Sequence, residues 1–94
     1  MNAYETLFIA NPNLSEEELD VLIAKVQDVI NKAGDVKETD KWGKKRLAYE
    51  IQKLRDGYYT LITFEAEASV LDELNHIYKI SDDILRGIYV KLEK

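Results

Sequence analysis

The chain of 94 residues contains no cysteine and only one histidine, His76. Without cysteine there is no disulfide, no thiolate metal site and no cysteine nucleophile. A single histidine also lacks the companion ligands that a transition-metal site requires. We therefore predict a chain without metal or cofactor, and the lack of cysteine fits a reducing cytoplasm.

Flexible and membrane-spanning segments are also missing from the sequence. The chain has one proline and four glycines, and no apolar run approaches the roughly 20 residues that cross a bilayer. Its N-terminus, Met1–Glu5, lacks the basic start and apolar stretch of a signal peptide. Hydrophobic residues make up 46% of the chain, enough for one modest core. We predict one domain over residues 1–94, with no separate tail, no membrane partner and an intracellular location.

The chain is acidic, with a net charge of −5, but one segment is basic. Residues 41–57 hold six basic and two acidic side chains, a net charge of +4. The core of this segment, Lys44-Lys45-Arg46, is flanked by Trp42 and Tyr49. Such a stretch is typical of a surface that meets a polyanion. The alternative is an edge strand that is kept charged against aggregation.

The first half of the chain reads as a strand followed by a helix. Residues 3–10 are rich in strand formers and stop at Asn11-Pro12-Asn13. Ser15 and Glu18 have the spacing of a capping box, and apolar residues then follow at helical intervals. Gly34 is placed to end this helix in the left-handed conformation.

The second half predicts two strands, a shorter helix and a last strand. Residues 35–53 read as a long strand in which Gly43 marks a bulge, and residues 54–57 read as a turn. A third strand covers residues 58–66, and Ser69 with Asp72 resembles a second helix start. The last strand covers residues 84–92.

The resulting order, βαββαβ, predicts an α+β fold, the ferredoxin-like split βαβ sandwich. Its four-stranded antiparallel sheet carries both helices on one face, so the other face is open. Alternation places Ile62 and Phe64 toward the helices, and Tyr59 and Leu61 toward the open face. An apolar open face indicates a protein or nucleobase partner. The alternative is that long side chains cover it.

The sequence resembles the bacterial small-subunit ribosomal protein S6 family over essentially all 94 residues. The longest motif that carries the resemblance is Trp42-Gly43-Lys44-Lys45-Arg46-Leu47-Ala48-Tyr49-Glu50-Ile51. The other motifs are Tyr4-Glu5, Asn11-Pro12-Asn13, Asp56-Gly57-Tyr58-Tyr59 and Ile80-Ser81-Asp82-Asp83-Ile84-Leu85-Arg86.

This resemblance implies a structural, non-enzymatic component of the small (30S) ribosomal subunit. It implies that the chain binds small-subunit (16S) rRNA together with ribosomal protein S18 in the platform. It also implies a cytoplasmic, ribosome-associated protein with no membrane partner and no small-molecule substrate.

Two sets of residues are our candidates for these contacts. The predicted RNA-binding residues are basic: Lys44, Lys45, Arg46, Arg86 and Lys91. The predicted partner-binding residues are aromatic or apolar: Tyr4, Trp42, Tyr49, Tyr59 and Leu61. Strand alternation puts Lys44 and Arg46 on one side and Lys45 on the other, so a flat RNA surface would not reach all three unless Gly43 bends the strand.

Two other classes share this element order. A stand-alone RNA-recognition module would stack bases on the open face, but the third strand has Tyr59 where that motif needs a small residue. A small-molecule-binding regulatory domain or an enzyme is the other alternative. The four glycines are isolated, so no phosphate-binding loop supports it.

Overall fold

The computed structural model describes residues 2–51 and 53–92, with the side chains of residues 49–51 left out of the description. These ranges hold four strands and two helices in the predicted order. The elements are β1 (Asn2–Ala10), α1 (Glu16–Asn31), β2 (Gly34–Ile51), β3 (Leu54–Ala66), α2 (Ser69–Ile80) and β4 (Ile84–Lys91).

The sheet is antiparallel, with strand order β2-β3-β1-β4, so β2 and β4 are its edges. Alternate residues of β1 and β3 point toward the helices and are buried, among them Phe8, Ile62 and Phe64. The apolar face of α1 and two residues of α2, Val70 and Leu74, complete this core. The predicted ferredoxin-like architecture is therefore confirmed.

The capping box at the start of α1 forms as predicted. The Glu18 backbone N–H donates to the Ser15 hydroxyl oxygen at 3.2 Å, and the Ser15 N–H donates to the Glu18 carboxylate at 3.0 Å. These bonds stabilise the ionised carboxylate, so they lower the pKa of Glu18. They also satisfy N–H groups that the first turn of a helix leaves without partners.

Gly34 has a different role from the one predicted. It is the first residue of β2, and Gly43 is the only glycine of the described chain with a positive φ angle. A Cβ at position 34 would collide with the Glu65 carbonyl and with Ala66 on β3. The prediction that Gly34 ends α1 in the left-handed conformation is wrong, because the glycine instead lets two strands approach closely.

The predicted turn at residues 54–57 is also wrong, since β3 already begins at Leu54. Ile51 pairs with Leu54, and Lys53, just before Leu54, has a positive φ of 66°. Gly57 lies within the strand, where a Cβ would collide with the side chain of Ile9. The lack of a side chain at Gly57 therefore allows close packing against Ile9 and is not required by a turn.

The second helix begins at Ser69 without a side-chain cap, since its N-cap residue is Ala68. The helix start predicted from Ser69 and Asp72 is therefore confirmed, although no side-chain cap forms there. Near its end, α2 is tied to the sheet by Tyr78, whose hydroxyl lies 2.7 Å from that of Thr6. The Thr6 hydroxyl donates to the Ile88 carbonyl, also at 2.7 Å, so the proton between the hydroxyls comes from Tyr78.

Candidate protein and nucleic-acid interface

The face of the sheet opposite the helices is largely apolar. The half-buried side chains on this face include Leu7 and Ile9 from β1 and Tyr59 and Leu61 from β3. The edge strand β4 adds two exposed side chains, Ile88 and Val90, which are 49% and 51% exposed. This arrangement confirms the predicted open face, and the sheet leaves these groups accessible to a partner.

Two shallow grooves cross this face. The first has a volume of about 210 Å³ and is lined by Leu7, Ile9, Leu47, Ala48, Tyr59, Arg86 and Ile88. The second is lined by Glu5, Leu7, Trp42, Leu61, Ile88, Tyr89 and Val90. Both grooves have mostly apolar walls with a single acidic or basic group, a composition suited to apolar side chains of a partner.

A bulge at Trp42 and Gly43 shapes the basic segment of β2. Lys41 pairs with Thr60 and Gly43 with Tyr59, so Trp42 is an extra residue in the ladder. Gly43 adopts a φ of 84°, a conformation that side-chain-bearing residues rarely adopt. The bulge predicted at this glycine is confirmed, and it changes which residues of β2 face the helices.

The extra residue, Trp42, lies on the open face. Its ring stacks on that of Tyr59, with 6.3 Å between centroids and 10° between planes. Its indole N–H donates to the Asp40 carboxylate at 3.1 Å. The indole is still 42% exposed, so part of this aromatic pair remains available for contact.

Beyond the bulge, successive basic residues point to opposite faces as predicted. Lys44 faces the helix side, where its ammonium lies 5.2 Å from the centroid of the Tyr58 ring. Arg46 shares that side, opposite Asp56, whereas Lys45 lies opposite Gly57 on the open side. All three basic side chains are exposed. The strand therefore presents cations on both of its faces.

Lys41, just before the bulge, is engaged within the molecule. Its ammonium donates to the Asp20 carboxylate on α1 at 2.6 Å, which raises the pKa of Lys41. Among the described residues, ion pairs involve Lys32, Lys37 and Lys41, but none of Lys44, Lys45 and Arg46. The charge of residues 44–46 is therefore not neutralised by an ion pair within the described chain.

The two basic candidates of β4 lie on opposite faces. Arg86 pairs with Ile9 and lines the first groove on the open side. Lys91 pairs with Tyr4, which places it on the helix side. Because the two positions differ by five along the strand, their side chains point to opposite faces and do not share one surface as expected.

The expected exposure of Tyr4 is wrong. Its ring is 4% exposed, belongs to the core, and stacks on Phe64 with 5.6 Å between centroids. Tyr4 shares its side of β1 with Phe8, which also faces the helices. This residue is therefore no longer a candidate for partner contact. The side chain of Tyr49, another partner candidate, lies outside the described residues.

Comparison with known proteins identifies the family. The family model for ribosomal protein S6 matches residues 3–91. The small ribosomal subunit proteins bS6 of Clostridium acetobutylicum and Alkaliphilus oremlandii are 46% and 43% identical to this chain, with both chains covered completely. The chain belongs to the ribosomal protein S6 family.

The solved structure of 30S ribosomal protein S6 from Thermotoga maritima supports this ribosomal protein S6 assignment. It superposes with a TM-score of 0.91 at 32% identity, covering 97% of this chain and 87% of the other. As a member of the S6 family, the chain is a non-enzymatic protein of the small ribosomal subunit, cytoplasmic and ribosome-associated. The predicted family and the predicted absence of enzymatic activity are thus confirmed by its relatives.

Neither helix of the described chain is long and apolar enough to cross a membrane. Among the described residues, no three histidine, aspartate or glutamate side chains cluster in a way that could hold a metal ion.

Three apolar residues of the open face were missed as candidates. Ile88 and Val90 line the second groove, and Leu47 lines the first. The alternation of Arg86, Ile88 and Val90 was the available signal, since every second residue of a strand shares a face. Leu47 gave no comparable signal, because the bulge at Trp42 decides its side.

Proposed function

We propose that this chain binds small-subunit (16S) rRNA together with ribosomal protein S18 in the platform. In this proposal the open sheet face meets the protein and the basic part of β2 meets the RNA. The observation that supports it best is their adjacency, since Trp42 joins the open face and Lys44 follows two residues later.

The protein contact is proposed for the second groove. Its walls come from all four strands and include Leu61 and Trp42, whose ring stacks on that of Tyr59. Aromatic side chains at the centre of an apolar patch are typical anchors of protein interfaces. Leu61 and Tyr59, together with Trp42, are therefore the partner-binding residues that the proposal retains.

The RNA contact is proposed for Lys44, Lys45 and Arg46, with Arg86 at the rim of the first groove. The first three are exposed cations on an edge strand, where no further strand covers them. Lysine and arginine bind phosphates without regard to sequence and release counterions, so affinity falls steeply with salt. The arginine guanidinium can also grip a phosphate at two points.

The overall charge of the chain supports a role for a companion protein in RNA binding. A chain with a net charge of −5 is repelled by RNA at long range, and only its basic segment is attractive. A basic companion would be steered to the acidic chain first and would then supply positive charge next to the basic segment. RNA binding is therefore expected to depend on the protein pair.

RNA filter binding, with and without S18, tests the proposal. Replacing Lys44, Lys45 and Arg46 by alanine should weaken RNA binding by the pair at least tenfold. The matched control replaces three exposed lysines of the helical layer, Lys25, Lys32 and Lys79, and should change affinity little. Equal reductions in both triple variants would show that only net charge matters, and would remove the basic segment from the site.

Binding of S18 in the absence of RNA tests the protein contact. Tyr59→Ala and Leu61→Ala should each weaken binding about tenfold or more, as expected for residues at the centre of an interface. Val21→Ala is the control, because this exposed apolar residue lies on α1, away from the open face. Normal binding by both open-face variants would mean that S18 docks elsewhere.

A further inference from the structure

We infer that the outer part of the β2–β3 hairpin is a two-faced basic ribbon that inserts into a groove of helical RNA, with phosphates on both sides of it. Lys44 and Arg46 contact phosphates from one face, and Lys45 and Arg55 contact phosphates from the other. The inference rests on the proposed RNA binding and adds Arg55, and Lys53 at the tip, to the contact residues.

The ribbon extends past the rest of the sheet. β1 pairs with β3 only from Tyr58 to Ala66, and its last residue, Ala10, lies opposite Tyr58. Among the described residues, β2 is therefore the only strand that pairs with residues 54–57 of β3. Lys45, Arg46, Lys53, Arg55 and Asp56 are all exposed. A two-stranded ribbon that projects in this way can be approached from both faces.

The ribbon carries a net positive charge. Residues 44–57 hold five basic and two acidic residues within a chain whose net charge is −5. Among the described residues, Lys53 and Arg55 also take part in no ion pair. The ribbon is thus the most positive projection of an otherwise acidic molecule.

The cations are divided between the two faces of the ribbon. Lys44 lies over the Tyr58 ring on the helix side, and Arg46 follows on the same side. Lys45 lies opposite Gly57 on the open side, and alternation along β3 places Arg55 on that side too. A flat RNA surface could touch one of these pairs only.

A groove of helical RNA is flanked by two phosphate backbones and so can satisfy both faces at once. Two-stranded ribbons are known to fit nucleic-acid grooves that are wide enough. The major groove of regular A-form RNA is deep and narrow, so the ribbon requires a helix opened by a bulge or a junction. The ligand we infer is therefore an interrupted RNA helix, held by its backbone.

The test compares charge removal on the two faces in the complex with S18. Lys44→Gln with Arg46→Gln neutralises one face, and Lys45→Gln with Arg55→Gln the other. The slope of log K against log salt is negative, and each pair of substitutions should make it shallower. Its magnitude should fall by about one for each phosphate that the variant no longer neutralises. Lys53→Asn should reduce the magnitude of the slope by about one, and asparagine tolerates the positive φ of that position. Lys25→Gln with Lys79→Gln, on the helices, should leave the slope unchanged.

Three outcomes would overturn the two-faced ribbon. A reduced slope in the variant of one face alone would show a flat contact. An unchanged slope in the Lys45/Arg55 variant would show that the open side does not contact RNA. Equal affinity for an uninterrupted duplex would show that the ribbon does not require a helix opened by a bulge or a junction. Failure of the unmodified pair to bind RNA at all would instead contradict the proposed function, so the two failures are distinguishable.

Discussion

The aromatic ring of Tyr78 lies against the Cα atom of Gly87, in the space that the Cβ of any other residue would need. Tyr78 belongs to α2 and Gly87 to β4, so this contact closes the helix layer onto an edge of the sheet. The same tyrosine reaches the Thr6 hydroxyl on β1. One side chain therefore holds together a helix and two strands.

Gly87→Ala should reduce the free energy of unfolding by about 1–3 kcal/mol, because the added methyl group displaces the Tyr78 ring. Urea denaturation measures this reduction. In a Tyr78→Leu background the alanine should cost markedly less, since the ring that it meets is gone. The same cost in both backgrounds would show that the tyrosine is not the obstacle.

Tyr78 should also make stability depend on alkaline pH. Burial raises the pKa of Tyr78 to about 12, above the roughly 10 of the unfolded chain. The stabilisation is therefore complete below pH 10 and is lost as the pH rises toward 12, by about 1.4 kcal/mol per unit of pKa difference.

Urea denaturation at pH 9 and pH 11.5 checks this dependence. Tyr78→Phe should be less stable at pH 9 by about 1 kcal/mol, since it loses one hydrogen bond. It should also lose less stability between the two pH values than the unmodified chain. An identical decrease in both proteins would assign the alkaline transition to other groups.

Two buried threonines on neighbouring strands should respond in opposite ways to replacement by valine. Thr60 and Thr6 are both fully buried, but among the described residues the Thr60 hydroxyl has no hydrogen-bond partner. Thr60→Val should therefore stabilise the protein by about 1 kcal/mol. Thr6→Val removes the acceptor of the buried Tyr78 hydroxyl and should cost about 1–3 kcal/mol. Thermal denaturation of both variants compares them directly, and destabilisation by Thr60→Val would reveal a bonded hydroxyl.

Ser15→Ala should cost about 1 kcal/mol because it removes the cap of α1. Ser69→Ala is the matched control at the start of α2, where no side-chain cap exists, and should be nearly neutral. Because the pKa of Glu18 is lowered in the folded chain, the contribution of Glu18 to stability is lost as the pH falls through that lowered value. Urea denaturation at pH 7 and pH 3 should therefore show that Ser15→Ala loses less stability on acidification than the unmodified chain.

Gly43→Ala should cost about 1 kcal/mol, since alanine is strained at a φ of 84° although no atom obstructs its methyl group. Gly43→Asn should cost less, because asparagine tolerates positive φ angles better. If the bulge orients the basic residues for RNA, the alanine variant should also bind RNA with S18 more weakly than the asparagine variant. Filter binding at matched folded fractions compares the RNA affinities of the two variants. Equal affinities would show that the bulge does not contribute to RNA binding.

The fold was predictable because independent signals agreed. The Ser15–Glu18 spacing, the helical apolar stripe of α1 and the alternation along β3 each predicted the element that the structure contains. Tyr4 was misplaced although the same alternation was available, since its position has the same parity as the core residue Phe8. The error came from treating an aromatic residue as an exposed one.

Glycine was the less informative signal. A glycine is compatible either with a positive φ angle or with a neighbour too close for a Cβ, and sequence does not distinguish the two. Gly43 is of the first kind, whereas Gly34 and Gly57 are of the second. The neighbours that decide this, Glu65 and Ile9, come from strands that meet only in the folded sheet.

The strand order has a consequence for synthesis. β1 is made first but lies between β3 and β4, so its second partner is about eighty residues away along the chain. Both grooves of the open face need Ile88 as a wall. A nascent polypeptide that has not yet released this last strand from the exit tunnel therefore lacks both grooves, so under the proposed function its recruitment into a particle must wait until translation has passed β4.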